Sequence, residues 1–121
     1  PNETEAEFYL NEKIKSEQDI KDAANEFLKK GVKNIIITLG EKGVYFANKN
    51  EEYFIDALKL KDEVVDTTGA GDAFNGAFVV ALANELKYKE ALQFANKVAG
   101  ISTTRLGAAS SMPNFKEVEN Y

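Results

Sequence analysis

The run Asp66-Thr67-Thr68-Gly69-Ala70-Gly71-Asp72-Ala73-Phe74-Asn75-Gly76 holds the residues with the clearest capacity for chemistry. Two Thr, two Gly and an Ala stand just before an apolar stretch, Phe74 to Leu86, that reads as a helix. Small residues let successive backbone N–H groups turn toward one point, and a helix N-terminus adds roughly half a positive charge there. Such a mouth attracts an anion, most commonly phosphate. Asp72 places a carboxylate inside it. A nest for an anion beside a carboxylate is the equipment that moves a phosphoryl group onto a hydroxyl. The competing reading is a glycine-rich helix start with Asp72 as an N-terminal charge cap.

Two common nucleotide motifs fail at residues on which their mechanisms depend. A dinucleotide fingerprint needs G-x-G-x-x-G, and Phe74 stands where the third Gly belongs. A phosphate-binding P-loop needs Lys and Ser/Thr after its last Gly, and here Ala77 and Phe78 follow Gly76. Composition narrows the field further. The 121 residues are 44% hydrophobic and 29% charged, enough for one domain with a real core and too few for two. A net charge of -5 argues against a nucleic-acid groove. No apolar run approaches the ~20 residues of a membrane span, and no secretory signal is visible, so cytoplasmic is the default expectation. Cys and His are both absent, so acid–base work falls to Asp, Glu, Lys or Tyr.

The elements that must position these residues follow from periodicity. Thr4 to Leu10 reads as a short helix capped by Asn2 or Thr4. Ser16 opens a second helix through a capping box with Asp19, and Ile20, Ala23, Ala24, Phe27 and Leu28 form its apolar stripe. Gly31 ends it. Val32 to Leu39 contains Ile35-Ile36-Ile37, a β-branched run of the kind found in a buried parallel strand. Val44 to Ala47 and Glu52 to Ile55 flank Asn48-Lys49-Asn50 as a hairpin. Val64-Val65 reads as a brief strand feeding the Gly-rich turn. Phe74 to Leu86 is apolar almost all round and so reads as a buried helix. Tyr88 to about Thr104 is a second buried helix, and a last one follows Pro113. Helices alternating with strands predict an α/β layered domain.

The string D-T-T-G-A-G-D-A-F-N-G-A-F, residues 66–78, resembles the C-terminal signature of the ribokinase-like (phosphofructokinase-B-type) sugar kinases. The resemblance runs from Pro1 to about Pro113. Its second anchor, Pro1-Asn2-Glu3-Thr4-Glu5-Ala6-Glu7, is most similar to the ribose-phosphorylating members. It implies a layered α/β fold with a mainly parallel sheet flanked by helices. It also implies ATP-dependent phosphorylation of a sugar hydroxyl, with ATP, Mg²⁺ and K⁺ as cofactors. Residues 1–121 would be the C-terminal nucleotide-binding and catalytic portion, without the N-terminal sugar-binding and lid portion. The opening Pro-Asn-Glu without Met fits that expectation.

Residue by residue, the resemblance makes Asp72 the catalytic base, with Gly69, Ala70 and Gly71 supplying backbone N–H groups to the transferring phosphate. Thr38 and Gly40, at the end of the Ile35 to Leu39 strand, would contact the nucleotide, with Gly43 as the next turn residue; the bland reading is a plain strand-to-turn transition. Asn96 would help frame the adenine, or else it is a polar residue on a helix edge. Asn2 and Glu5 match an N-x-x-E motif associated with Mg²⁺ through water, or else they form an N-terminal cap. Asp66, Thr68, Ser102, Thr103, Arg105, Gly107 and Ser111 resemble a K⁺ loop, in which Asp66 and Ser111 would contribute side chains; otherwise Asp66 is a turn residue.

Ribose phosphorylation is therefore the leading expectation. Within the fold the alternatives are a fructokinase, a ketodeoxygluconate kinase or a nucleoside kinase. From another class, a non-catalytic nucleotide-binding module competes. A retained Asp72 argues against that module, since binding alone has little need of a base. Without sugar contacts and lid, the isolated chain is expected to turn over little or nothing. Partners would be ATP and a small sugar, with neither nucleic acid nor membrane. The resemblance allows a homodimer of the intact protein through its lid, and an exposed sheet edge could pair with another copy.

Overall fold

The computed structural model describes residues 1–110 and 112–121. They divide into two compact units, 1–56 and 57–121, where length alone suggested one domain around one core. Each unit builds its buried cluster from elements close in sequence.

The first unit contains helix α1 (Glu3–Leu10), helix α2 (Glu17–Lys29) and strands β1 (Asn34–Thr38), β2 (Val44–Asn48) and β3 (Glu52–Ile55). Asn2 caps α1, and Ser16 caps α2 by accepting the Asp19 N–H at 3.1 Å. The α2 stripe buries Ile20, Ala23 and Ala24, and these pack with Ile35, Ile37, Leu39, Tyr45 and Ala47. Ile35 lies opposite Ala47 and Ile37 opposite Tyr45, so the alternate residues of two strands present one face to that core. Tyr45 donates its hydroxyl to Glu52 at 2.6 Å; burial first, then that carboxylate, push the phenol well above its ordinary pKa. Between α1 and α2, Glu7 closes the chain by accepting the Ile14 N–H at 2.9 Å and the Lys13 ammonium at 3.1 Å.

The hairpin forms as expected, but the triple-Ile strand is not parallel to its neighbour. Sheet order is β1-β2-β3 with both pairings antiparallel. Only the short connection between Thr38 and Val44, built on the 3₁₀ turn Gly40–Lys42, joins β1 to β2, and a parallel return needs a crossover of about a dozen residues or more. Ile35 and Ile37 are buried and Ile36 is half-buried, which explains why the run is apolar without alternation. The parallel contact among the described residues is an isolated bridge from Asn2 to Thr38.

The second unit contains helices α3 (Ala70–Ala83), α4 (Tyr88–Ser102) and α5 (Phe115–Asn120). α3 and α4 pack on each other through Ala73, Phe74, Ala77 and Ala81 on one side and Ala91, Leu92, Ala95, Val98 and Ile101 on the other. Alanine at every fourth position lets the two backbones come close. Gly100, on α4, makes room for a different neighbour: a Cβ there would sit 3.3 Å from the Leu58 side chain. α5 is held by an Asn114–Glu117 capping box and a 3.1 Å ion pair from Glu117 to Arg105.

Two expectations need correction here. Val64-Val65 is not a strand; both valines are exposed, and the Val65 and Asp66 N–H groups donate to the Thr103 carbonyl at 2.8 and 3.1 Å. Their backbone partner is a helix end, so no ladder forms. α3 begins at Ala70, not Phe74, and is not buried all round: Val79 is 65% exposed and Val80 55%. An apolar circumference marked a surface with no neighbour among the described residues rather than burial. No helix among the described residues is long and apolar enough to cross a membrane.

Candidate phosphoryl-transfer site

Gly69 is the N-cap of α3 and takes a left-handed backbone, φ 77°, ψ 2°. Glycine is required there twice over. Its φ suits no β-carbon well, and a Cβ would lie 2.8 Å from the Ala108 Cβ. The turn containing Ala108 is fixed by Asp66. One Asp66 oxygen accepts the Thr68 N–H at 2.9 Å, the other accepts the Gly107 N–H at 3.0 Å. Hydrogen bonds from Thr68, side chain before backbone, and then from Gly107, hold the Asp66 carboxyl below its ordinary pKa.

At the mouth itself, the first intrahelical bond runs from the Ala73 N–H to the Gly69 carbonyl at 2.8 Å. The Ala70 N–H folds back to Thr67 at 3.2 Å. The N–H groups of Gly69, Gly71 and Asp72 therefore come before the helical ladder and have no acceptor among the described residues. Ala70, expected as a donor, is engaged; the Asp72 N–H, not expected, is open. Asp72 is the third helical residue and is exposed. Its carboxylate makes no capping bond and no ion pair with any described residue. A cap would reach back to a first-turn N–H. Asp72 does not.

The residues assigned to a K⁺ loop divide. Asp66, Thr68, Thr103 and Gly107 are joined by the hydrogen bonds above. The Ser102 hydroxyl is buried and donates to Ala99 at 2.7 Å, while the Arg105 guanidinium turns to Glu117. Ser111 lies outside the described residues. Asn96 sits half-buried on α4. Ala108, which abuts Gly69, escaped sequence reasoning because nothing in the string marks a contact across so many residues.

In the first unit the structure brings two separate motifs together. The Thr38 N–H donates to the Pro1 carbonyl at 3.0 Å, and Asn2 bridges Thr38, so N-x-x-E starts beside the Thr38-Leu39-Gly40 turn. Asn2 and Glu5 form a reciprocal capping box: Asn2 accepts the Glu5 N–H at 2.8 Å, and Glu5 Oε2 accepts the Asn2 N–H at 2.9 Å. Glu5 Oε1 keeps its lone pairs, which a water-mediated contact with Mg²⁺ could use. No three Asp or Glu side chains among the described residues cluster as a direct metal site. After Thr38 the chain turns tightly, with the Leu39 N–H on the Gly43 carbonyl at 2.9 Å and the Gly43 N–H on Gly40 at 3.1 Å. Gly40 (φ 59°) and Gly43 (φ 102°) supply the left-handed positions this requires.

A helix mouth with open N–H groups beside an exposed carboxylate is an arrangement that can receive an anion. The profile of the pfkB family carbohydrate kinases matches residues 1–114, and the chain belongs to that family. It is 44% identical over 119 residues to the ribokinase of Staphylococcus aureus, covering 98% of this chain and 38% of that protein. Among solved structures it resembles the ribokinase of Thermotoga maritima (45% identity, TM-score 0.86, 99% of this chain and 40% of that one). It also resembles Arabidopsis thaliana ribokinase complexed with ribose and ATP (35% identity, TM-score 0.94, 99% of this chain and 38% of that one). The chain thus spans well under half the length of the relatives it matches.

Proposed function

We propose that residues 1–121 are the C-terminal nucleotide-binding and catalytic portion of an ATP-dependent kinase that converts ribose to ribose 5-phosphate. The observation that carries this is the Asp72 carboxylate, exposed and unbonded within the first turn of α3, beside open N–H groups. Asp72 accepts the proton of the sugar's primary hydroxyl as that oxygen forms its bond to the γ-phosphorus of ATP. The bond from that phosphorus to the β,γ-bridging oxygen breaks, and ADP leaves. Backbone N–H groups of Gly69, Gly71 and Asp72 stabilise the charge on the transferring group. Thr38, Gly40 and Gly43 contact the nucleotide, and Asn96 frames its base. Asn2 and Glu5 would hold Mg²⁺ through water. Bound Mg²⁺ supplies neutralising charge on the phosphates. The Asp66 loop would hold K⁺, whose charge would steady the turn that carries the mouth.

The identity to ribokinases, and the ribose and ATP found in the Arabidopsis relative, support ribose over other sugars. The test is ADP release by a ribokinase-length protein carrying this sequence, with Mg²⁺ and K⁺, across a panel of acceptors. Release that depends on ribose, and is weaker with fructose, ketodeoxygluconate and nucleosides, is the expected result. Preference for another acceptor would reassign the substrate. ATP binding without turnover on any acceptor would favour a binding module.

A further inference from the structure

A cleft of about 570 Å³ opens on the first unit, where the end of α2 meets the tip of the β2–β3 hairpin. Its volume falls in the range of small-molecule sites, about 300–1,000 Å³. Leu28 and Val32 give it an apolar wall, and Lys29, Lys33 and Lys49 give it three ammonium groups. No carboxylate lines it, in a chain whose net charge is -5. Solvated surface charge is the competing reading, and for Lys29 it suffices. That ammonium pairs with Glu26 at 2.9 Å in the last turn of α2, where the helix dipole favours a cation.

Lys33 and Lys49 are placed differently. The ladder ends with Asn34 opposite Asn48, their amides bonded at 3.1 Å, so one step beyond it the same antiparallel register sets Lys33 against Lys49. Like charges opposed across a strand pair destabilise it. Neither ammonium has a hydrogen bond or an ion pair among the described residues. The carboxylates that follow Lys49 are taken, Glu51 by the Tyr53 hydroxyl at 2.8 Å and Glu52 by Tyr45. Asn48 also fixes the tip by accepting the N–H groups of Asn50 and Glu51 at 2.8 and 2.9 Å, so both lysine stems start from a braced frame. Two opposed cations are neutralised by one dianion, and a phosphate monoester carries roughly two negative charges at neutral pH. We propose that this cleft binds a phosphorylated small molecule, its phosphate between Lys33 and Lys49 and its carbon body against Leu28 and Val32. Lysine binds phosphate as a point charge, so the site needs no forked geometry from arginine. None of its residues belongs to the candidate phosphoryl-transfer site, so the inference stands apart from the proposed activity.

Phenyl phosphate is the probe, titrated into a ribokinase-length protein carrying this sequence while the backbone N–H resonances of residues 28–33 and 48–50 are followed by NMR. Saturable shifts there, with a dissociation constant near or below about 1 mM, are expected. Lys33→Gln combined with Lys49→Gln should weaken that binding about tenfold or more through the lost charge-assisted bonds, while melting temperature and ATP affinity match the parent's. Sulfate should bind several-fold more weakly, since it brings no body to the apolar wall. An absence of shifts up to about 10 mM, or shifts that the double variant keeps, would overturn the proposal. So would sulfate binding as tightly as phenyl phosphate, or a double variant that melts well below the parent and so gives the lysines a structural role. An acidic peptide that moves these resonances where phenyl phosphate does not would make a protein partner the occupant instead.

Discussion

Asn2 and Asp72 each stand at the start of a helix, and each has a capping reading that competes with a functional one. Their surroundings separate them. In residues 1–56 the candidate polar groups are bonded inside their own unit: Asn2 and Glu5 cap one another, and the Thr38 N–H reaches Pro1. In residues 57–121 Asp66 is committed in the same way, but Asp72 is not. The difference teaches that residue type and spacing identify two kinds of helix start equally well, while hydrogen-bond occupancy tells which is a cap. A first-turn carboxylate that makes no bond to the helix mouth is placed to meet an outside partner.

The contrast can be broken most severely at Gly69. Gly69→Ala forces a left-handed φ on alanine and drives a Cβ toward Ala108, and should cost about 2–4 kcal/mol. Urea unfolding of the 121-residue chain measures this; a loss under 1 kcal/mol would mean the mouth is not braced as described. Gly71→Ala should act in the opposite sense. A Cβ there meets nothing, so helix propensity should raise stability by up to about 1 kcal/mol. In a ribokinase-length protein the same methyl should lower ATP-dependent turnover by about tenfold or more, because it crowds the anion mouth. Unchanged turnover would make Gly71 an ordinary helical residue.

The smallest effect belongs to the first unit. Bonds from the Ile14 N–H and then Lys13 hold the Glu7 carboxyl below its ordinary value of 4.5. A depressed folded pKa means stabilisation that is fully present above the unfolded value and is lost as pH falls through the folded one. Glu7→Gln should therefore flatten the loss of stability on acidification below about pH 4.5, while melting temperatures at pH 7 fall slightly. Parallel acid limbs in parent and variant would remove Glu7 from the account.

Much of this architecture is legible in the sequence because it is local. The α2 stripe, the Ser16 cap, the hairpin around Asn48-Lys49-Asn50 and the Gly-rich start of α3 all follow from spacing within a few residues. The misreadings concern two things, strand direction and exposure. Ile35-Ile36-Ile37 is equally apolar in a parallel or antiparallel strand, and the short Gly40–Lys42 turn decides between them. Val79 and Val80 look like core and face outward. At the site, Asp72 and the grouping of Asp66 with Gly107 were visible from the family motif, whereas the contact of Ala108 with Gly69 joins positions far apart in the chain and has no periodic signal.

The central claim is that Asp72 is kept for chemistry and not for capping. Asp72→Asn in a ribokinase-length protein carrying this sequence preserves size and helix start while removing the base. Ribose-dependent ADP release should fall by about 10²–10⁴, with ATP affinity within a few-fold of the parent and an unchanged melting temperature. Turnover equal to the parent's, or a loss of stability in place of a loss of rate, would contradict the account.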